Sequence, residues 1–350
     1  MIKEAIAKVV GREDLSEKEM ERAMEEVMGG GATPAQIGSF ITALRMKGET
    51  VEEITGAARV MRAKAQSIRP FLTKNDHDSD EIIVDIVGTG GDGTRTFNVS
   101  TTAAFVAAGA GLKVAKHGNR AVSSLCGSAD VLEHLGVNLD LSPEDVGRSV
   151  REIGIGFLFA PIFHRAMKYA AAPRREIGLR TIFNMLGPLT NPASANAMVI
   201  GVYDPDLTEI MAGVLLRLGT RQAFVVCGEG TFDEISICSP TKVSRLDGDK
   251  IRTYTIEPEA FGLKRAKVED IQGGDGEENA GIVRNILKGG KGPKRDMVIL
   301  NGAAAFVAAG LDPDIRSGME RAEMIIDSGK AMEKLEALVR FSQACAGAKA

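Results

Sequence analysis

The stretch IIVDIVGTGGDG, residues 82–93, decides the fold class of this chain. It opens with β-branched aliphatic residues, which are typical of a strand buried on both faces, and it closes with four glycines within six residues. The Ala-rich segment TTAAFVAAGAG at 101–111 follows and favours a helix. A strand that leads through a glycine-rich turn into a helix is the repeating unit of parallel α/β sheets.

Further strand-like runs extend this pattern along the chain. They are GLKVAK at 111–116, GIGFLFA at 154–160, AMVIGVY at 197–203, QAFVVCG at 222–228 and DMVIL at 296–300. Helix-like segments lie between most of them. We therefore predict an α/β fold with a mostly parallel central sheet that helices cover on both faces.

The first 50 residues have a purely helical pattern. Three helix starts pair a hydroxyl cap with Glu or Gln three positions later, namely Ser16 with Glu19, Thr33 with Gln36, and Thr50 with Glu53. Glycines at 29–31 and 48 provide the stops. A small all-helical domain is therefore predicted ahead of the α/β domain.

Composition limits the function classes. The chain has 350 residues, enough for two lobes, and its net charge of -4 gives no sign of a nucleic-acid coat. Its four cysteines lack zinc-site spacing and indicate buried thiols in a reducing compartment. The N-terminus lacks a signal-peptide core, and no apolar run approaches the ~18 residues of a membrane span. We expect a cytoplasmic protein with no membrane or nucleic-acid partner.

The glycine-rich turn is the first candidate site. Asn98, Ser100, Thr101 and Thr102 follow it at the start of the predicted helix. Glycines allow the backbone N–H groups to approach a ligand closely, and a helix N-terminus adds partial positive charge. The stretch matches neither the P-loop nor the dinucleotide-binding pattern, so it predicts an anion site of another class. A plain tight turn is the alternative.

The second candidate site surrounds one glycine in VAKHGNRAVSS, residues 114–124. Its polar side chains are those of Lys116, His117, Asn119, Arg120, Ser123 and Ser124. Lys116 is predicted at the end of a strand, where open α/β sheets bind ligands, and Gly118 would admit the ligand. Structural roles remain open, because Lys116 and Arg120 can be surface charges and His117 a buried structural histidine.

Two further clusters carry charge. Asp233 and Glu234 follow the strand-like run AFVVCG, and adjacent carboxylates offer the hard oxygen ligands that Mg²⁺ takes when it shares substrate phosphates. Arg174 and Arg175 offer a planar fork to a carboxylate or phosphate ahead of the turn-rich segment GPLTNP at 187–192. Both clusters can also be solvated surface charges.

Taken together, these clusters resemble the anthranilate phosphoribosyltransferase family of tryptophan biosynthesis. The matching stretches are GTGGDG at 88–93, NVSTTAA at 98–104, KHGNRAVSS at 116–124, GSADVLE at 127–133, RREIGLRTIFNMLGPLTNP at 174–192 and FDEIS at 232–236. The resemblance spans most of the chain. It implies a helical domain at 1–72, with a helical contribution from about 165–185, and an α/β domain at 73–350. It also implies a homodimer joined through the helical lobes.

The implied reaction transfers the phosphoribosyl group of phosphoribosyl pyrophosphate to the amino group of anthranilate and releases pyrophosphate. By resemblance, phosphoribosyl pyrophosphate is surrounded by Gly88, Gly91, Asp92, Asn98, Ser100, Thr101 and Lys116. Thr96, Gly118 and Ser128 are further expected substrate-binding residues. Mg²⁺ is bound by Ser100, Asp233 and Glu234, and anthranilate meets Asn119 and Arg174. The chain departs from the family at Leu125 and Cys126, where a polar pair is expected.

The chemistry places modest demands on the protein. The amine of anthranilate is already neutral, so no strong base is required, and we assign positioning roles to His117, Asn119 and Arg174. Neutralisation of the leaving group and placement of the amine are then the main catalytic factors. Two alternatives remain open: a pyrimidine nucleoside phosphorylase of similar architecture, and a noncatalytic relative that binds nucleic acid.

Overall fold

The computed structural model describes residues 1–69, 81–90, 93, 95–121 and 125–347. Its centre is a seven-stranded sheet of order β3-β2-β1-β4-β5-β6-β7. The strands are β1 Ile83–Gly88, β2 Lys113–Gly118, β3 Ile155–Phe159, β4 Ala197–Gly201, β5 Gln222–Gly228, β6 Thr241–Asp247 and β7 Lys250–Ile256. The first five are parallel to one another, and β6 and β7 form an antiparallel hairpin at one edge. The predicted fold class is confirmed.

The N-terminal helices are Ile2–Val10, Glu17–Met28, Pro34–Lys47 and Val51–Lys64. The last three begin where the sequence predicts. All three predicted capping boxes are formed, with Ser16, Thr33 and Thr50 each accepting a backbone N–H from the residue three positions on. Caps depend on neighbours in the chain, which is why local sequence suffices to locate them.

Helices cover both faces of the sheet. The helices after β1 are Val99–Gly109, Ser128–His134, Pro143–Ile153, Ala160–Phe163, Lys168–Ile177, Ile182–Leu189, Leu207–Arg217, Gly276–Leu287, Pro293–Ala308, Ile315–Asp327 and Lys330–Gly347. Helix Lys168–Ile177 packs on the N-terminal helices Glu17–Met28 and Pro34–Lys47. None of the helices in the described part of the chain combines the length and apolar character needed to cross a bilayer.

Two hydrophobic cores share the central strands. Along β1, Val84 and Ile86 belong to a core under helices Val99–Gly109 and Pro293–Ala308, whereas Ile83 and Val87 face the other way. The alternation follows from the two-residue period of a strand. The second core is continuous with the N-terminal helices, so the helical lobe rests directly on one face of the sheet.

Three local predictions were wrong or incomplete. DMVIL at 296–300 lies inside helix Pro293–Ala308, because its apolar residues are buried on every side and carry no strand-specific period. The β6–β7 hairpin was not predicted, since β7 is largely exposed. The segment GPLTNP is not all loop, because helix Ile182–Leu189 continues through Pro188.

Candidate active site at the carboxyl ends of the strands

Four parallel strands end in glycine at one edge of the sheet. They are β1 at Gly88, β2 at Gly118, β4 at Gly201 and β5 at Gly228. Gly88 lies directly opposite Gly201 in the ladder. The carboxyl edge of an open α/β sheet is where ligands bind, and residues without side chains leave room there for a ligand or another loop.

Asp233 fills part of that room. A Cβ on Gly88 would lie 2.3 Å from Asp233 Oδ2, and one on Gly201 would lie 1.5 Å from the Asp233 backbone oxygen. The backbone N–H of Gly90 donates to Asp233 Oδ2 at 2.8 Å. The acidic loop after β5 therefore lies directly against the start of the glycine-rich turn after β1.

Glu234 faces the helix that follows the glycine-rich turn. Its side chain is buried, and Oε1 accepts the backbone N–H of Ser100 at 3.2 Å in the first turn of helix Val99–Gly109. A carboxylate at this position benefits from the positive end of the helix dipole. Within the described residues no three His, Cys, Asp or Glu side chains form a complete metal cluster.

Lys116 brings positive charge to the same edge. It is buried on β2, and Nζ donates to the backbone oxygen of His117 at 3.0 Å. Burial lowers the pKa of Lys116, and three carboxylates act against that shift, those of Asp85, Glu234 and Asp233. Lys116 is thus not a surface charge, and the nearby carboxylates of Asp85, Asp233 and Glu234 favour its charged form.

Asp85 is a site residue that sequence reasoning missed. It is fully buried on β1, and burial raises its pKa to about 6. Its carboxylate accepts the N–H of His117 at 3.2 Å and the side-chain amide of Asn191 at 2.7 Å. The only sequence signal was an acid inside an apolar strand. These bonds join the start of the KHGN segment to the loop after helix Ile182–Leu189.

His117 is a buried histidine that contacts a second one. Its ring lies 5.1 Å from that of His164, and burial lowers the pKa of His117 well below its ordinary value and that of His164 to about 4. Within the described residues neither Nε2 atom has a hydrogen-bond partner. Both rings are therefore neutral near pH 7, consistent with a positioning role for His117.

The KHGN turn packs closely on the next helix. The Asn119 backbone oxygen accepts Ser128 Oγ at 3.3 Å and Ala129 N–H at 3.1 Å. A Cβ on Gly118 would lie 2.1 Å from Ser128 Oγ, so this approach requires glycine. Arg120 instead pairs with Glu133 at 2.7 Å and is half exposed, so the structural alternative holds for this residue.

Other residues predicted to bind substrate contact loops from elsewhere in the chain. Asn98 Nδ2 donates to the backbone oxygen of Cys126 at 3.3 Å, so the departure from the family at this position leaves a backbone contact intact. Thr96 forms a β-bridge with Gln272. Within the described residues, buried Asn98 Oδ1 and Thr101 Oγ1 have no partner. Four predicted residues lie outside the described part, namely Gly91, Asp92, Ser123 and Ser124.

Arg174 stands apart from Arg175. Its guanidinium lies 5.1 Å from the centre of the Phe183 ring, and burial lowers its pKa, whereas Arg175 is exposed. A partly desolvated guanidinium on an aromatic face is suited to a flat aromatic carboxylate. The residue types alone gave the two arginines equal weight, the family resemblance singled out Arg174, and burial separates Arg174 from Arg175 in the structure.

Comparison with known proteins shows the family of this chain. Residues 3–65 match a family described as the helical bundle domain of a glycosyl transferase family, and residues 80–332 match its a/b domain. Anthranilate phosphoribosyltransferase of Geobacter sulfurreducens is 58% identical over 348 residues, covering 98% of this chain and 99% of that protein. The chain belongs to the anthranilate phosphoribosyltransferase family.

Solved structures of anthranilate phosphoribosyltransferases have the same fold. The Thermus thermophilus enzyme is 44% identical in sequence to this chain, and its crystal structure matches with a TM-score of 0.89. The match covers 97% of this chain and 99% of the Thermus thermophilus chain. The Saccharomyces cerevisiae enzyme in complex with PRPP and Mg is 29% identical, with a TM-score of 0.87, and covers 98% of each chain. Phosphoribosyl transfer to anthranilate, which the sequence resemblance implied, is confirmed as the activity, and the two alternatives are set aside.

Proposed function

We propose that the strand-end site binds phosphoribosyl pyrophosphate together with Mg²⁺ and presents it to anthranilate. The observation that carries the proposal is the convergence of three elements at one edge: the turn after Gly88, the N-terminus at Ser100, and the acids Asp233 and Glu234. The yeast relative, which is in complex with PRPP and Mg, supports the same pairing of ligand and metal.

The residues present fit a magnesium ion. Asp233 and Glu234 supply carboxylate oxygens, Ser100 supplies a hydroxyl, and two carboxylates alone leave positions for substrate oxygens. Magnesium bound there would neutralise charge that develops on the leaving pyrophosphate. The nearby ammonium group of Lys116 would add to this effect without contacting the metal.

The phosphate-binding role is assigned to the glycine-rich turn and its neighbours. The proposed residues are Gly88, Gly91, Asp92, Thr96, Asn98, Ser100, Thr101, Lys116, Gly118 and Ser128. Support comes from the buried and unpartnered oxygens of Asn98 and Thr101 within the described residues, since a buried polar atom requires a partner. The neighbouring helix N-terminus favours an anion.

Anthranilate is assigned to the side of the KHGN turn. We assign its carboxylate to Arg174, whose guanidinium is partly desolvated, and its ring and amine to the neighbourhood of Asn119 and His117. The pKa of His117 lies well below its ordinary value, so the ring is neutral and can orient the amine. The neutral amine attacks as it stands, so placement replaces base catalysis.

The experiment that tests the proposal is the loss of anthranilate fluorescence when phosphoribosyl pyrophosphate is added, with Mg²⁺ varied. Asp233→Asn combined with Glu234→Gln should reduce turnover at least ~100-fold, because the metal contributes several kcal/mol to leaving-group departure. The control is Asp247→Asn with Asp249→Asn, which removes the same charge at the β6–β7 turn. Unchanged Mg²⁺ dependence in the site variant would refute the proposal.

We also propose a homodimer joined through the helical lobes and a cytoplasmic location. Val10 is the last residue of helix Ile2–Val10 and is 65% exposed, and Met46 on helix Pro34–Lys47 is 71% exposed. These exposed apolar side chains favour a surface that a second copy of the chain covers. All four cysteines are free, which favours a reducing compartment. Light scattering during size exclusion tests the dimer: a mass of about 37 kDa rather than twice that value would refute it.

A further inference from the structure

Asn301 is a buried amide that no part of the proposed chemistry uses. It lies on helix Pro293–Ala308 with none of its surface exposed. Its Oδ1 accepts the backbone N–H of Ile235 at 3.0 Å, and its Nδ2 donates to the backbone oxygen of the same residue at 2.9 Å. A second bond from Nδ2 to the Met297 oxygen, also 2.9 Å, fixes the amide on its own helix.

The contact with Ile235 places Asn301 next to the proposed metal-binding acids. Ile235 directly follows Asp233 and Glu234, outside any strand. On the other side of the acids, Gly228 N–H donates to the Phe232 oxygen at 2.8 Å. The acid pair is thus held at both ends, by the end of β5 before it and by Asn301 after it.

A merely structural role is the competing explanation, because buried amides must be satisfied in any fold. Two features favour positioning. Both bonds to the loop go to the backbone of Ile235. They therefore fix the direction of the chain immediately after Glu234. Glu234 in turn accepts the backbone N–H of Ser100, so a rotation of the loop would change how the acid faces the helix N-terminus.

We propose that Asn301 is a positioning residue that holds Asp233 and Glu234 in register for the metal-bound substrate. The inference rests on the proposed function of the acid pair. Groups that orient metal ligands commonly change metal affinity about 10- to 100-fold when removed. Asn301 would act through the backbone of Ile235, the residue that follows the two acids.

The chain contains a matched control at the amino ends of the central strands, the end of the sheet opposite the site. Asn196 Oδ1 accepts the N–H of Ile83 at 2.9 Å, and its Nδ2 donates to the Glu81 oxygen at 3.0 Å. This amide also bonds to backbone groups in two directions, but it does so beside the amino end of β1. Asn196→Ala therefore removes a similar pair of bonds without touching the site.

The test compares Asn301→Ala and Asn301→Leu with Asn196→Ala. Leu keeps the space filled, so an effect shared by the two variants at 301 reports loss of the amide. Mn²⁺ binding is measured by electron paramagnetic resonance with phosphoribosyl pyrophosphate present and anthranilate absent, and the Mg²⁺ half-saturation of turnover is measured separately. Circular dichroism and thermal melts report folding.

Both variants at 301 should bind Mn²⁺ at least ~10-fold more weakly and need correspondingly more Mg²⁺, with KM for anthranilate nearly unchanged. Asn196→Ala should melt earlier with normal metal dependence. The proposal is overturned if the folded 301 variants keep wild-type metal binding, if Asn196→Ala weakens it equally, or if both 301 variants fail to fold, which would assign Asn301 to overall stability.

The same experiment separates this inference from the proposed function. Normal metal dependence at 301 with a defect in the Asp233→Asn, Glu234→Gln variant would overturn the role of Asn301 alone. Normal metal dependence in both would overturn the role of the acid pair as well.

Discussion

Gly201 carries no functional group, yet its missing side chain decides whether the acid loop fits. A Cβ there would lie 1.5 Å from the Asp233 backbone oxygen, which cannot yield as a flexible side chain would. The acid loop therefore depends on glycine at the end of β4, in addition to its own two carboxylates. Sequence reasoning did not single out Gly201, because its neighbour is 32 positions away along the chain.

Gly201→Ala should displace Asp233 and lower turnover at least ~10-fold, with a stability loss of roughly 1–3 kcal/mol from overpacking. Gly281→Ala is the control, because a Cβ at that position of helix Gly276–Leu287 meets nothing within 4 Å. The control should be neutral or slightly stabilising, since Ala is the better helix former. Steady-state rates and urea unfolding check both, and a Gly201→Ala enzyme with normal turnover would contradict the packing argument.

At the scale of single residues, the sequence predicted site residues where a charged side chain stands beside an apolar run. Lys116, Asp233 and Glu234 were predicted because charged groups follow apolar strands. Asp85 and Asn301 were missed, because their partners lie far along the chain: Asp85 bonds Asn191 across 106 positions, and Asn301 bonds Ile235 across 66. Such pairs are fixed by the topology of the fold and leave little local signal.

At the scale of elements, local rules worked where local interactions dominate. The three capping boxes formed as predicted, and the strand runs that lead into the site became β1 to β5. The strand prediction for DMVIL at 296–300 was wrong because a fully buried helix and a fully buried strand have the same apolar composition. Strand β7 was not predicted, because it is largely exposed and lacks an apolar run.

One pair of elements shows how the site is assembled from distant parts. The letters GGDG occur at 90–93 and again at 273–276. Gly273 N–H donates to the Arg95 oxygen at 2.9 Å, and Phe97 N–H donates to the Ile271 oxygen at 3.3 Å. The second segment thus pairs with the chain that leaves the glycine-rich turn, beside the residues proposed to bind phosphate.

At the scale of the whole molecule, buried histidines link stability to pH. The folded pKa of His164 is about 4, below its ordinary value of 6.5, so folding favours the neutral ring. This contribution is complete above pH 6.5 and is lost as the pH falls toward 4. Asp85 acts in the opposite direction, because its pKa is raised from 3.8 to about 6 and its contribution falls as the pH rises through that range.

His164→Gln should therefore reduce the stability lost between pH 7 and pH 5 by roughly 1–2 kcal/mol, since the variant has no ring to protonate on unfolding. Chemical denaturation at the two pH values measures the difference within each protein, so an overall destabilisation cancels. His134→Gln, at an exposed position on helix Ser128–His134, is the control. A His164→Gln protein with the wild-type pH slope would contradict the assignment.

The central claim is that the strand-end glycines and the acid loop hold one metal-bound diphosphate. Crystals grown with phosphoribosyl pyrophosphate and Mn²⁺ test it most directly, because manganese gives an anomalous signal that locates the ion. The account predicts a peak within coordination distance of Asp233 or Glu234 and of Ser100, with the diphosphate against the turn after Gly88. A peak elsewhere, or a diphosphate bound away from these residues, would contradict it.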